Sequence, residues 1–333
     1  MTRSPGVSPS SVPPVSESRG KYSGALRGFL YIGAAAFFWG VSASLGRAAF
    51  TGRLLPDSGI RSVDPLILSQ CRTSFSFLAV ALGLIARRGI KSLRMPWRDL
   101  GKLFVLGLAG VAASNYFYYL AIQRTNVATA IIVQYTAPVW VLLYMVARGA
   151  ERLTISKIGS VLLAITGIAL VIGLFRHGGI QLDLIGVIAA LVAAFSFTYY
   201  NIGGHYLLTQ YDRWTVLLYT TLAASLFWLI VNPPNKIVAA HYSGSTWLFL
   251  AVFSFLSVLL PFTFYFAGLE LLVPTKAIIA SCLEPVFSIL IAAIAMKEIV
   301  GPTQALGIAM VLSAIVQAQR SGSDLHRITS PVD

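Results

Sequence analysis

Few side chains in this sequence could do chemistry, and those that could stand inside long apolar runs. Glu284 is the one acidic residue deep within such a run, directly before Pro285. An ionised carboxylate is costly in apolar surroundings, so Glu284 is expected to face a cavity, pair with a cation or stay protonated. It could bind an ammonium group or exchange a proton; it could equally bond a neighbouring helix. Arg72 stands eight residues beyond Asp64, about 12 Å along a helix. There it could attract a carboxylate or form a salt bridge to Asp64 or Glu284. Arg47 could assist it or snorkel to the headgroups. Pro138 and Pro285 each remove a backbone hydrogen bond and free a carbonyl, as a hinge or as a static kink.

The remaining candidates are polar and aromatic. Gln134 and Pro138 are four apart and share a helix face, which Ala130 continues; Ser281 and Pro285 repeat that geometry. Asn115, Tyr118 and Tyr119 form a polar-aromatic face, matched in part by Tyr265. Trp39 and Ser42 are set against Tyr199, Tyr200 and Asn201. Apolar walls with a few orienting polar groups suit a small amphipathic solute. For each of these residues the alternative is interhelical bonding or an interface belt. His205, near a helix end, reads as interfacial rather than as a proton relay.

The elements that hold these residues follow from composition. Of 333 residues 56% are apolar and 11% are charged, against about 25% charged in a soluble chain. Apolar stretches of roughly 20 residues, enough to cross a bilayer, recur at 28–49, 65–86, 100–122, 127–147, 155–174, 183–207, 213–231, 246–269, 273–295 and 302–319. The expected class is an all-α polytopic membrane protein of ten transmembrane helices. The net charge of +13 sits mostly in short loops and tails, so it sets topology rather than binding nucleic acid. Arg87, Arg88, Lys91, Arg94, Arg98, Lys102, Arg148, Arg152 and Lys157 outweigh Arg53, Arg61, Arg124 and Arg176 on the other side. That bias puts both termini in the cytoplasm. Residues 1–24, rich in Ser and Pro, read as a disordered tail, and 321–333 as a second tail. Cys71 and Cys282 lie in apolar helices as packing residues.

Residues 117–151 align without a gap to 264–298. Phe117/Phe264, Tyr118/Tyr265, Pro138/Pro285 and Glu151/Glu298 all match, and the Pro-to-Glu spacing is kept. The halves, 25–176 and 177–320, hold five spans each. An odd number makes the copies inverted, a recurring design of secondary transporters around a central cavity.

With Phe38-Trp39-Gly40, Arg72, "ATAIIVQYTAPVWVLL" from 128 and "TKAIIASCLEPVFSIL" from 275, the chain resembles the EamA-type exporters of the drug/metabolite transporter superfamily. The resemblance covers nearly everything after the first tail. It implies efflux of small metabolites, most readily amino acids, from a bacterial inner membrane. The second half departs from the family's pattern in placing Glu284 directly before Pro285. An exchanger of phosphorylated or nucleotide sugars is the alternative within the class, although such substrates need several cations and only Arg72 is placed to serve. An intramembrane enzyme or a channel is the alternative from outside it. His177, His205, His241 and His326 form no metal motif, and no GxxxxGK[ST] sequence is present, so neither catalysis nor direct use of ATP is expected. No cofactor is expected. The expected partners are a small solute and the bilayer, with protons a candidate coupling ion and both monomer and homodimer open.

Overall fold

The computed structural model describes the backbone of residues 15–50, 63–174, 183–296 and 299–321. Among these residues there is no strand. The main helices are α1 (Val15–Phe50), α2 (Pro65–Arg88), α3 (Trp97–Arg124), α4 (Val127–Ala147), α5 (Ile155–Val171), α6 (Leu184–Leu208), α7 (Arg213–Val231), α8 (Gly244–Leu269), α9 (Pro274–Ile294) and α10 (Pro302–Arg320). Eight of them are long and apolar enough to cross a membrane. The other two are α5, 17 residues long, and the less apolar α10. These pack along one another and show apolar side chains outward, among them Leu162, Leu306 and Leu312.

Local chemistry sets the helix starts. Asp64, Asn126, Thr154, Asp183, Asp212 and Ser243 each accept a backbone N–H of the first turn with a side-chain oxygen, satisfying donors that a helix leaves open. Asp64 is therefore engaged by its own helix. Helix α1 runs back into the segment expected to be a tail. No proline follows Pro14 until Pro56, so nothing there forbids helical backbone. The remainder of both tails, most of the loop after α1, and Glu298 lie outside the described residues. The loop after α7 contains a short helix, Pro234–Ala239.

The two halves pack as exchangeable copies. Helix α1 lies against α8 as α6 lies against α3; α1 against α9 matches α6 against α4; and α2 against α8 matches α7 against α3. The pairs α2–α7, α4–α9 and α5–α10 map onto themselves. The irregularities match as well. A π-helical segment occurs at Leu106–Ala112 in α3 and at Phe255–Leu259 in α8. Helix α4 breaks at Tyr135–Thr136 and α9 at Cys282. With five helices per copy, corresponding helices of the two halves run in opposite senses.

Two close approaches fix this packing. A Cβ on Gly167 would meet the Gly307 carbonyl oxygen at 2.8 Å, and one on Gly307 would meet the Gly167 oxygen at 2.6 Å. Backbone contact of this kind, open only to glycine, holds α5 to α10. A Cβ on Gly40 would lie 2.8 Å from the Phe287 Cβ, so the Phe38-Trp39-Gly40 turn of α1 seats on α9 just beyond Pro285.

Candidate functional site

The site is built where α4 and α9 are interrupted. Each proline sits at the start of the second part of its helix rather than in the middle of a continuous one. Lacking an N–H, Pro138 leaves the Gln134 carbonyl without its helical donor, and Pro285 does the same for Ser281. Side-chain bonds to neighbouring carbonyls brace the same turns. Thr136 Oγ1 donates to the Val133 carbonyl at 2.7 Å and accepts from Trp140 Nε1 at 3.1 Å. Ser281 Oγ donates to Ile278 at 2.8 Å.

Across this seam the Tyr135 hydroxyl donates to Glu284 Oε2 at 3.1 Å. It ties the break in α4 to the first turn of the second part of α9. In the repeat register Tyr135 corresponds to Cys282 and Glu284 to Ala137, so the bond has no counterpart under the pseudo-symmetry. Arg72 Nη2 donates to Asn115 Oδ1 at 3.3 Å, and its charge acts on the Glu284 carboxylate through space. Asn115 is held in turn by the Val111 carbonyl, 2.9 Å away in the π-helical segment. Gln134 Nε2 reaches Ser114 Oγ at 3.4 Å, and Ser114 Oγ reaches the Ala193 carbonyl at 3.3 Å. Arg72, Asn115, Tyr118, Gln134, Tyr135 and Glu284 all keep part of their surface accessible, whereas Pro138 and Pro285 are buried.

The other expected residues divide. Trp39 packs against the Phe262 and Tyr265 rings, each 5.3 Å away centroid to centroid. The Tyr265 hydroxyl accepts from Asn201 Nδ2, and both residues are fully buried. Ser42 Oγ donates to the Phe38 and Leu256 carbonyls, and Ser281 to its own helix; neither hydroxyl is turned to open space. The expected common face of Tyr199 and Asn201 is not formed. Two residues apart on a helix means about 200° of rotation, and Tyr199 lies on the exposed stripe with Ile188, Phe195 and Tyr206. Tyr119 stacks obliquely on Tyr118 at 6.1 Å. The salt bridge anticipated from Arg72 to Asp64 is replaced by the bond to Asn115. The side chain of Arg47 lies outside the described residues. Sequence reasoning passed over Tyr135, whose only signal was its place in the turn whose carbonyls Pro138 unsettles.

On the side whose loops carry most of the basic residues, polar contacts join helix ends. His205 Nδ1 lies 2.8 Å from the Leu269 carbonyl. Arg213 pairs with Glu270 at 3.2 Å and Arg88 with Asp212 at 3.2 Å. Glu151 and Lys157 form a buried pair at 2.9 Å, so Lys157, counted above among the topological charges, is neutralised within the fold. Burial raises the Glu270 carboxyl above its usual range, although Arg213 opposes it.

The model of the EamA-like transporter family matches residues 26–173 and again 184–318. The chain belongs to the EamA-like transporter family. It is similar to the uncharacterized inner membrane transporter YicL of Salmonella typhimurium, 23% identical over 295 residues that cover 87% of this chain and 94% of the relative. It also matches the aromatic amino acid exporter YddG of Ancylobacter novellus, 26% identical over 152 residues, covering 44% of this chain and 51% of that one. A solved crystal structure superposes with a TM-score of 0.70 at 20% identity, over 89% of this chain and 97% of its own, which shows a shared fold. As an EamA-family member the chain is a multi-pass membrane transporter, and the relatives named here are transporters.

Proposed function

We propose that this EamA-family chain is a secondary carrier that exports small zwitterionic metabolites, amino acids first among them, by alternating access. The observation that carries this reading is the 3.1 Å bond between Tyr135 and Glu284, which joins two interrupted helices from opposite halves beside Arg72. One anion and one cation at the seam offer complementary ends to an ammonium and a carboxylate. The rings of Tyr118 and Trp39 add apolar wall, and Gln134 and Asn115 add orienting amides. An ammonium arriving at Glu284 competes with the Tyr135 hydroxyl and so loosens the tie between halves. A proton on Glu284 has the same effect, which makes protons the coupling ion to test. Pro138 and Pro285 serve as the hinges, while Ser42, Asn201 and Tyr265 hold helices together and Ser281 braces its own helix. The bodies that move are the halves 25–176 and 177–320. The partial match to an aromatic amino acid exporter supports the substrate class. The match to an inner membrane transporter and the basic loops support a bacterial inner membrane with both termini cytoplasmic.

Ligand-dependent thermal stabilisation of the purified chain across an amino-acid panel tests the site, because a ligand that binds only the folded state raises its stability. Removing a charged hydrogen-bond partner costs about 1.5–3 kcal/mol, so Glu284→Gln is expected to weaken apparent affinity about 10- to 100-fold. Tyr135→Phe keeps the carboxylate and is expected to weaken it less. An unchanged affinity in Glu284→Gln removes this residue from the site.

A further inference from the structure

A groove of about 670 Å³ opens on the outer face of the α5–α10 pair, lined by none of the site residues described above. Its two ends differ in chemistry. At one end stand Arg320, exposed in the last turn of α10, and Ser156, in the first turn of α5. Deeper along α10 the wall is Val316 and Leu312, both exposed, with Ser313 beside them turning its hydroxyl to the Ala309 carbonyl. From Arg320 to Leu312 the helix rises about 12 Å, so the groove runs from a cationic rim down an apolar wall.

The rim is built rather than incidental. Gln317 fits there because Gly159 of α5 has no side chain; a Cβ on Gly159 would sit 3.0 Å from Gln317 Nε2. Behind the rim, the Lys276 ammonium donates to the Ser321 carbonyl at 2.7 Å and is itself buried. This bond anchors the end of α10 behind the rim. The ion pairs on this side join Glu151 to Lys157, Glu270 to Arg213, Asp212 to Arg88 and Asp99 to Lys102, and among the described residues none engages Arg320.

A cation with a hydroxyl above an apolar channel complements a phosphate head above an acyl chain. We infer that this groove holds an anionic phospholipid of the leaflet it faces, with its phosphate on Arg320 and Ser156 Oγ and one chain along Val316 and Leu312. On the orientation proposed above, that leaflet is the cytoplasmic one, and basic clefts between helices on that side suit anionic headgroups. The lipid is a fixed ligand of the α5–α10 pair and lies outside the transport path.

Native mass spectrometry of the full chain, titrated with phosphatidylglycerol and with phosphatidylethanolamine of the same acyl chains, tests the assignment without reference to transport. The wild type is expected to retain one phosphatidylglycerol about tenfold more tightly than phosphatidylethanolamine, and Arg320→Gln to lose that preference. Ser156→Trp, which fills the groove and leaves the charge unchanged, is expected to lose it too, with thermal unfolding confirming that both variants are folded. Removing residues 322–333 is expected to leave the preference intact. Equal retention of the two lipids by the wild type, or an unaltered preference in either folded variant, overturns the proposal. So does loss of the preference on truncation, which would place the headgroup contact in the tail.

Discussion

At the scale of single residues, the fold puts its few charges to two distinct uses. Glu284, half-buried at the seam between halves, accepts a hydrogen bond from Tyr135 among the described residues and keeps part of its surface accessible. A carboxylate left with open acceptor sites at such a depth is poised to take another cation or a proton. Asp212 is used differently. It caps α7 through Trp214, accepts from Thr215 Oγ1 at 2.7 Å and pairs with Arg88. Burial raises its pKa, but the bonds from Thr215 and Arg88 outweigh burial and hold the carboxyl below the usual aspartate range. The stabilisation is therefore present above the unfolded pKa and is lost as pH falls through the lower folded value. Because the pair is nearly half exposed, its Coulombic part is worth less than about 1 kcal/mol. Thermal unfolding against pH should show a small loss of stability on acidification in the wild type. Asp212→Asn, which retains most of the cap, should remove the contribution of this group to that pH dependence.

At the scale of elements, the α5–α10 pair rests on two glycines whose carbonyls stand where a side chain would begin. Gly167→Val or Gly307→Val must separate the helices, and overpacking of this kind costs about 1–3 kcal/mol. Each should lower the unfolding midpoint, whereas Gly83→Ala, with open space around its Cβ position, should not. The apolar runs made these helices legible in the sequence, and the shared Pro-to-Glu spacing made the repeat legible. The breaks in α4 and α9 were read only as kinks at the prolines. They fall earlier, at Tyr135–Thr136 and Cys282, because a missing donor disturbs the turn before it. Ser42 and Ser281 could not be sorted from true lining residues, since a serine in a membrane helix can bond a backbone carbonyl of its own or a neighbouring helix. Tyr135 was illegible for a related reason: its role depends on Glu284, 149 positions away, and on a contact between halves that no local pattern records.

At the scale of the whole molecule, the contacts of the two halves exchange in pairs, the symmetry on which the alternating access proposed above relies. The polar contacts at the more basic side, His205 to Leu269 and Arg213 to Glu270, join helix ends within the second half, and Arg88 to Asp212 joins that half to the first. The Tyr135–Glu284 bond ties α4 to α9 across the seam between halves. A carrier built this way must reorient with its substrate, so flux should saturate and should be accelerated by substrate on the far side. Counterflow in proteoliposomes measures both properties at once. With unlabelled amino acid inside, uptake of the labelled amino acid outside should show a transient overshoot and saturate with concentration, and Glu284→Gln should lose most of both. Flux that rises linearly with concentration and ignores the trans substrate would contradict the carrier account outright.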